Sequence, residues 1–249
     1  MTNSSKPLQG QVALITGSVR RIGRATALEL SRLGASIVIN ARSSLDEAQA
    51  VKEEIENAGG QALVCICDIR EEAAVEAMME QVILRFGRLD ILVNNASIRA
   101  DNDFLSMSLA EWRDVTSIIL DGAFLCSRAA LVHILKTGAG RIVNIGGVSA
   151  KLGAPHRAHV VTAKAGIEGF TRALAHEFSP RGVTVNCVVP GKIGGKRSVT
   201  SGKGIQGQVL TPREGEVEDV ARMVAYLCLP ETSYVTGQSL NVSGGMYMS

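Results

Sequence analysis

The chain has 249 residues, of which 46% are apolar and 20% charged, with a formal net charge of +2 at pH 7. That length holds one large α/β domain or two small ones, and so small a charge argues against a nucleic-acid partner or a membrane surface. The opening MTNSSKPLQG lacks the apolar run of a signal peptide, and five cysteines without a CxxC pair suggest neither a disulfide framework nor a metal site.

A reduced, soluble, cytoplasmic protein is therefore expected, with no run of membrane-spanning length. In chain order, VALIT (Val12–Thr16) reads as the first strand and IVIN (Ile37–Asn40) as the second. Ala48, Val51, Ile55 and Ala58 then share one helical stripe. ALVCI (Ala62–Ile66) is the third strand, and Cys65 and Cys67, two apart on one face, read as small core residues. A second stripe runs through Val75, Met78, Met79, Val82 and Phe86, before a fourth strand, ILVN (Ile91–Asn94). A long helix is expected over roughly 110–136, a fifth strand at RIVNI (Arg141–Ile145), and a second long helix over roughly 159–178. TVNCVV (Thr184–Val189) and SLNV (Ser239–Val242) complete the strands.

Most of these strands are apolar on both faces, as strands covered by helices on both sides must be. Repeated strand–helix–strand at this spacing implies α/β architecture: a parallel, doubly wound sheet of seven strands. No linker divides the chain, so a single domain over 1–249 is expected. One irregular tract, Gly191–Glu214, is rich in Gly, Ser and Lys and follows the sixth strand. That places it over the carboxyl edge of the sheet, as a mobile lid or as a solvated loop. Lys192, Lys196, Arg197 and Lys203 make it basic, which suits an acidic or carrier-linked ligand and equally suits plain solvation.

TGSVRRIG (Thr16–Gly23) lies between the first strand and a helix. Gly17 permits a tight turn, Gly23 a close approach of helix to strand, and the amides at the helix start can meet a pyrophosphate. From here the sequence resembles the short-chain dehydrogenase/reductase family. The family's glycine motif is Thr-Gly-x-x-x-Gly-x-Gly, and Arg21, at its middle glycine, resembles the pteridine-reductase branch. Asp68–Ile69 match the adenine contact, Asn94–Ser97 the Asn-Asn-Ala-Gly segment with Ser97 for glycine, and Pro190–Ile193 and Gly237–Gly245 the late motifs. The likeness runs from about Gln11 to Gly245 and implies a Rossmann fold. By that resemblance the dinucleotide contacts are Gly17, Ser18, Arg20, Arg21, Ile22, Gly23, Asn40, Arg42, Asp68, Ile69, Asn95, Ala96, Ser97, Lys164, Pro190, Gly191 and Ile193.

Charge selects the coenzyme. An NAD site carries Asp or Glu at the end of the second strand; here Asn40 stands there, with Arg42 and Arg20 near it and no carboxylate expected to oppose a 2′-phosphate. Two guanidinium groups favour NADP(H) over NAD(H), although either arginine alone reads as a surface charge.

The family's proton-delivery set is a different matter. It consists of an asparagine, a serine, a tyrosine and a lysine, and three of the four places are substituted: Ile119, Gly147 and Val160 stand there, and only Lys164 is kept. None of the three side chains offers a proton or a hydrogen bond, a loss worth about 10²–10⁴ in rate. Candidate substitutes are His156, His159 and Ser149; each also reads as an ordinary helix-start histidine or turn serine. Two functions follow: an NADP(H)-dependent oxidoreductase reducing a carbonyl or ketoacyl-like small molecule by an atypical mechanism, or a catalytically inactive NADP(H)-binding protein. The resemblance further implies a homotetramer or dimer.

Overall fold

Seven strands pair in parallel in the order β3-β2-β1-β4-β5-β6-β7. They are β1 (Val12–Ile15), β2 (Ser36–Ala41), β3 (Ala62–Ile66), β4 (Ile91–Asn94), β5 (Gly140–Ile145), β6 (Val183–Pro190) and β7 (Ser239–Val242). The computed structural model describes residues 6–194 and 207–248. Each of the seven expected strands is present, some longer by a residue or two.

The helices are α1 (Arg21–Arg32), α2 (Leu45–Asn57), α3 (Glu72–Phe86), α4 (Leu109–Thr116), α5 (Gly122–Ile134), α6 (Ser149–Leu152), α7 (Ala158–Phe178) and α8 (Val217–Cys228). Strand alternation decides which helix covers which face. Ala13 and Ile15 of β1 pack with Ile22, Ala27 and Leu30 of α1, Ala48 and Val51 of α2, and Val220 and Val224 of α8. Val12 and Leu14 point the other way, to Val75, Met78 and Val82 of α3 and Cys126 and Ala130 of α5. Both faces of β1 are buried throughout, which is why VALI carries no polar residue.

The expected long helix over 110–136 is real but broken. A capping box, Ser108 with Glu111, starts α4, and a π-helical turn over Ser117–Asp121 then separates it from α5. With its flanking turns the whole rod runs Leu109–Thr137 and is long and apolar enough to cross a membrane, which corrects the expectation that no segment reaches that length. Its apolar side is used by the protein itself, packed against α3, α7 and the sheet.

Strand order reverses direction between β1 and β4, so their carboxyl ends frame a crevice. The turn after β1 and the segment after β4 meet there. The stems of the irregular tract are joined above the sheet: Gly194 N–H donates to Gly215 O at 2.8 Å, and Lys192 pairs with Glu214 at 2.6 Å. The rest of that tract, 195–206, with Lys196, Arg197 and Lys203, lies outside the described residues.

Candidate active site

The turn after β1 is built around close backbone contact. Gly17 has φ +61°, a conformation glycine adopts without the Cβ penalty. A Cβ on Gly23 would overlap the Gly17 carbonyl oxygen and come within 2.5 Å of Asn95 Nδ2. Asn95 is the brace across the crevice: its Nδ2 donates to Thr16 O at 2.8 Å and Gly17 O at 2.9 Å. Thr16 Oγ1 accepts from the backbone N–H groups of Asn95 and Ala96, both at 3.0 Å, locking β1 to β4 at their carboxyl ends. The start of α1 lies at this turn, and the free N-terminal end of a helix favours an anion.

Asn40 and Ser18 support this loop from inside. Asn40 Oδ1 accepts from Gly17 N–H at 3.2 Å, and its Nδ2 donates to Cys67 O at 3.2 Å. Ser18 Oγ accepts from Asn40 N–H at 3.1 Å. Both residues are buried, and Asn40 holds the glycine turn through the Gly17 amide.

Arg21 is the residue the sequence pattern singled out, and its backbone shows why glycine is usual there: φ is +49°, a left-handed conformation costing an L-residue about 1–2 kcal/mol. Against that cost, Arg21 Nη2 donates to Gly194 O at 3.0 Å and Ile193 O at 3.3 Å. The guanidinium thus ties the glycine turn to the segment after β6, spanning the crevice mouth.

Arg20 and Arg42 are exposed near the end of β2. Here the expectation of an unopposed positive pair is corrected, because Glu47 on the first turn of α2 pairs with Arg20 Nε at 2.6 Å. Helix-start preference for an acidic residue puts Glu47 there. Asp68 is gripped by Arg70, at 2.6 Å from Nη2, which holds its carboxyl below the usual range. Ile69 is buried and fills the space beside Gly122, where a Cβ would lie 2.6 Å from Ile69 Cδ1. Ser97 is exposed, its hydroxyl turned to the Ile98 carbonyl at 3.4 Å. Pro190 O accepts from Val148 N–H at 3.0 Å, and Gly191 packs so closely on Ser243 that a Cβ would lie 2.7 Å from Ser243 Cα.

Lys164 is buried in α7 and donates to Ile145 O at 2.6 Å. Burial pushes its ammonium down to about 8, with the Arg99 charge adding to the shift and the nearby Cys187 opposing it. Beside it is a cavity of about 10 Å³ bordered by Thr16, Asn94, Ile119 and Ile145, roughly the volume of one water. Asn94 Oδ1 is buried there without a protein partner, while Asn94 Nδ2 donates to Asn144 Oδ1 at 2.8 Å across the β4–β5 ladder. Asn144 Nδ2 continues to Thr171 Oγ1 at 2.9 Å. The sequence reading missed this polar seam under the site. Its signal was available: an asparagine at the carboxyl end of β4, and one between apolar neighbours in β5.

Ile119, in the π turn, and Val160, at the start of α7, are both buried. They share one apolar cluster with Val115, Val148, Ala163 and Val189. Gly147 borders Lys164: a Cβ there would lie 3.8 Å from Lys164 Cγ and 3.6 Å from Ser149 Oγ, ordinary contact distances. Of the candidate substitutes, the structure brings only Ser149 to this place.

His156 precedes α7, is 59% exposed at its side chain, and faces Asp103 at 3.9 Å. The His159 ring is buried, with Nε2 3.1 Å from Asn102 Oδ1, and burial lowers its pKa. Asn102 Nδ2 donates in turn to Glu111 at 2.7 Å. This histidine joins the start of α7 to the start of α4; neighbours on a helix diverge by about 100°, so it faces away from the Val160 side. The five cysteines are free thiols; burial raises Cys65, Cys187 and Cys228 to about 12, which leaves them unreactive.

A family profile described as Enoyl-(Acyl carrier protein) reductase matches residues 17–247. The chain is 40% identical over 243 residues to a 3-oxoacyl-[acyl-carrier-protein] reductase of Synechocystis, covering 97% of this chain and 98% of the relative. It is 38% identical over 240 residues to the Staphylococcus aureus 3-oxoacyl-[acyl-carrier-protein] reductase FabG, covering 95% and 98%. Among solved structures, a dehydrogenase/reductase from Sinorhizobium meliloti superposes with a TM-score of 0.89 at 33% identity, covering 98% of each chain.

Proposed function

Because the chain belongs to the short-chain dehydrogenase/reductase family, we propose that it is an NADP(H)-dependent oxidoreductase that reduces a carbonyl of ketoacyl type by an atypical mechanism. The observation that carries this reading is the contrast within one crevice. The residues that the resemblance assigns to the dinucleotide at Gly17, Gly23, Asn95 and Lys164 are kept, while the proton-delivery positions hold Ile119, Gly147 and Val160.

NADPH would supply the hydride when bound. The α1 amides and Gly17 would take the pyrophosphate, Arg42 and Arg20 a 2′-phosphate, and the Lys164 ammonium the nicotinamide ribose hydroxyls. Arg20 has to exchange its exposed pair with Glu47 for the phosphate, a small cost because such pairs are worth about 0–1 kcal/mol. The carbonyl carbon gains the hydride, and its oxygen gains a proton from water. No side chain at 119, 147 or 160 can deliver that proton, so turnover is expected to be slower than with a tyrosine by about 10²–10⁴. A carrier-linked thioester is the substrate class favoured by the names of the relatives, and a homotetramer or dimer in the cytoplasm is the matching state.

A second reading, an inactive NADP(H)-binding protein, is favoured by the apolar cluster that fills the proton-delivery place. NADPH and NADH oxidation against an acetoacetyl thioester, with calorimetric titration of each nucleotide, separates the two. Turnover abolished by Lys164→Ala supports the reductase; tight NADPH binding with no turnover above coenzyme decay overturns it and leaves the second reading.

A further inference from the structure

We propose that Ser149 supplies the hydroxyl that position 147 lacks, holding the oxygen of the bound carbonyl substrate from the start of α6. The identity of its ligand rests on the reductase reading given above.

A Cβ on Gly147 would stand 3.6 Å from Ser149 Oγ. A serine oxygen lies one single bond, roughly 1.5 Å, beyond its Cβ, so Ser149 Oγ occupies the space roughly 2–5 Å from any hydroxyl that position 147 could carry. The same Cβ would lie 3.8 Å from Lys164 Cγ, so position 147, beside which Ser149 Oγ stands, borders Lys164. The turn is held firmly. Gly146 N–H donates to Val188 O at 2.8 Å, Val148 N–H to Pro190 O at 3.0 Å, and Ser149 O accepts from Gly153 N–H at 2.9 Å. A donor on such a turn is pre-positioned.

The hydroxyl is also uncommitted. Ser149 is 5% exposed, yet its Oγ makes no hydrogen bond within the described residues. Other buried hydroxyls near the site are engaged: Thr16 with Asn95 and Ala96, Ser18 with Asn40, Thr171 with Asn144. A hydroxyl free of protein partners can donate to a bound carbonyl oxygen without breaking an existing bond. That hydrogen bond would strengthen as negative charge develops on the oxygen. Ser149 keeps its own proton throughout; the oxygen is protonated by water.

The test compares wild type, Ser149→Ala, Gly147→Ser and the Gly147→Ser/Ser149→Ala double variant. Three readouts are taken: kcat and KM of NADPH oxidation with an acetoacetyl thioester, NADPH affinity, and calorimetric affinity of that thioester for the protein–NADP⁺ complex. Ser149→Ala should lower kcat by about 10²–10³, weaken thioester binding, and leave NADPH affinity unchanged, which shows the fold is intact. Adding Gly147→Ser to it should restore most of the lost rate. Unchanged kcat in Ser149→Ala overturns the assignment, as does a loss that the double variant leaves in place. Should the wild type show no turnover, the reductase reading falls by itself, and thioester affinity decides Ser149: weaker binding in Ser149→Ala supports it, whereas equal binding, or none in wild type, overturns it.

Discussion

Rebuilding the proton-delivery set in this chain should raise its rate at a cost in stability, and the structure lets both be worked out. At Gly147→Ser the added Cβ meets only ordinary contacts, 3.6 Å to Ser149 Oγ and 3.8 Å to Lys164 Cγ. Val160→Tyr is harder. Val160 is 5% exposed and packed in the cluster with Val148 and Ala163, so a phenol ring overpacks it at about 1–3 kcal/mol unless it turns into the crevice. Ile119→Asn puts a buried amide beside the orphaned Asn94 Oδ1 and the cavity at Lys164, at about 1–3 kcal/mol where a partner is lacking. Together these lower the melting temperature by roughly 2–4 °C per kcal/mol for a chain of this size. The gain should be about 10²–10⁴ in kcat, equivalent to roughly 3–5 kcal/mol of barrier. NADPH consumption with a ketoacyl thioester measures the rate, and calorimetry confirms that the variant binds coenzyme as wild type does. A folded triple variant with wild-type NADPH affinity and no faster turnover would show that the apolar substitutions are not what limits the site.

Three further outcomes are expected. Gly23→Ala drives a Cβ into the Gly17 carbonyl and to 2.5 Å from Asn95 Nδ2, so NADPH affinity should fall at least about tenfold, since losing even about 1.4 kcal/mol there is a tenfold change; unaltered titration curves would mean the turn does not bind the coenzyme. Arg42→Ala should erode preference for NADPH over NADH by about 10–100-fold, the worth of one charged hydrogen bond to the 2′-phosphate. Arg20→Ala should cost less, because Glu47 already competes for that guanidinium, and equal nucleotide affinities in wild type would refute both. The Lys164 ammonium, pushed down to about 8 by burial, is charged below that pH. NADPH affinity should therefore hold at lower pH and weaken as pH rises through about 8, with Lys164→Met showing no such slope. The same depressed pKa means burial of the charge destabilises the fold below about 8, a penalty relieved as pH climbs toward the ordinary lysine value of 10.5. A Lys164→Met protein whose stability tracks wild type across that window would contradict the buried charge.

The fold was readable from the chain because its signals are local. Strands such as VALI, apolar at every position, have to be covered on both faces, and the stripes of Val75, Met78 and Val82 or of Ala48 and Val51 supply the covering helices. Gly17 and Gly23 were likewise legible, since only a missing side chain permits the approach of α1 to β1. The substitutions at 119, 147 and 160 could be read by position alone.

What tertiary structure decided are the pairings between groups far apart in sequence. Nothing near Arg20 announces that Glu47 takes it, or that Arg21 reaches over 170 residues along the chain to the carbonyls of Ile193 and Gly194. Asn40 turns inward because the Gly17 amide and the Cys67 carbonyl meet it there, and His159 turns to Asn102 because the start of α4 is folded against α7. Ser149 rather than a histidine stands beside Gly147 for the same reason: the β5–α6 turn is anchored to β6 by backbone hydrogen bonds, and spacing along the chain carries no record of that anchor. Periodicity fixes which face a residue occupies, but a hydrogen bond needs two groups brought within reach, and that depends on how distant elements pack.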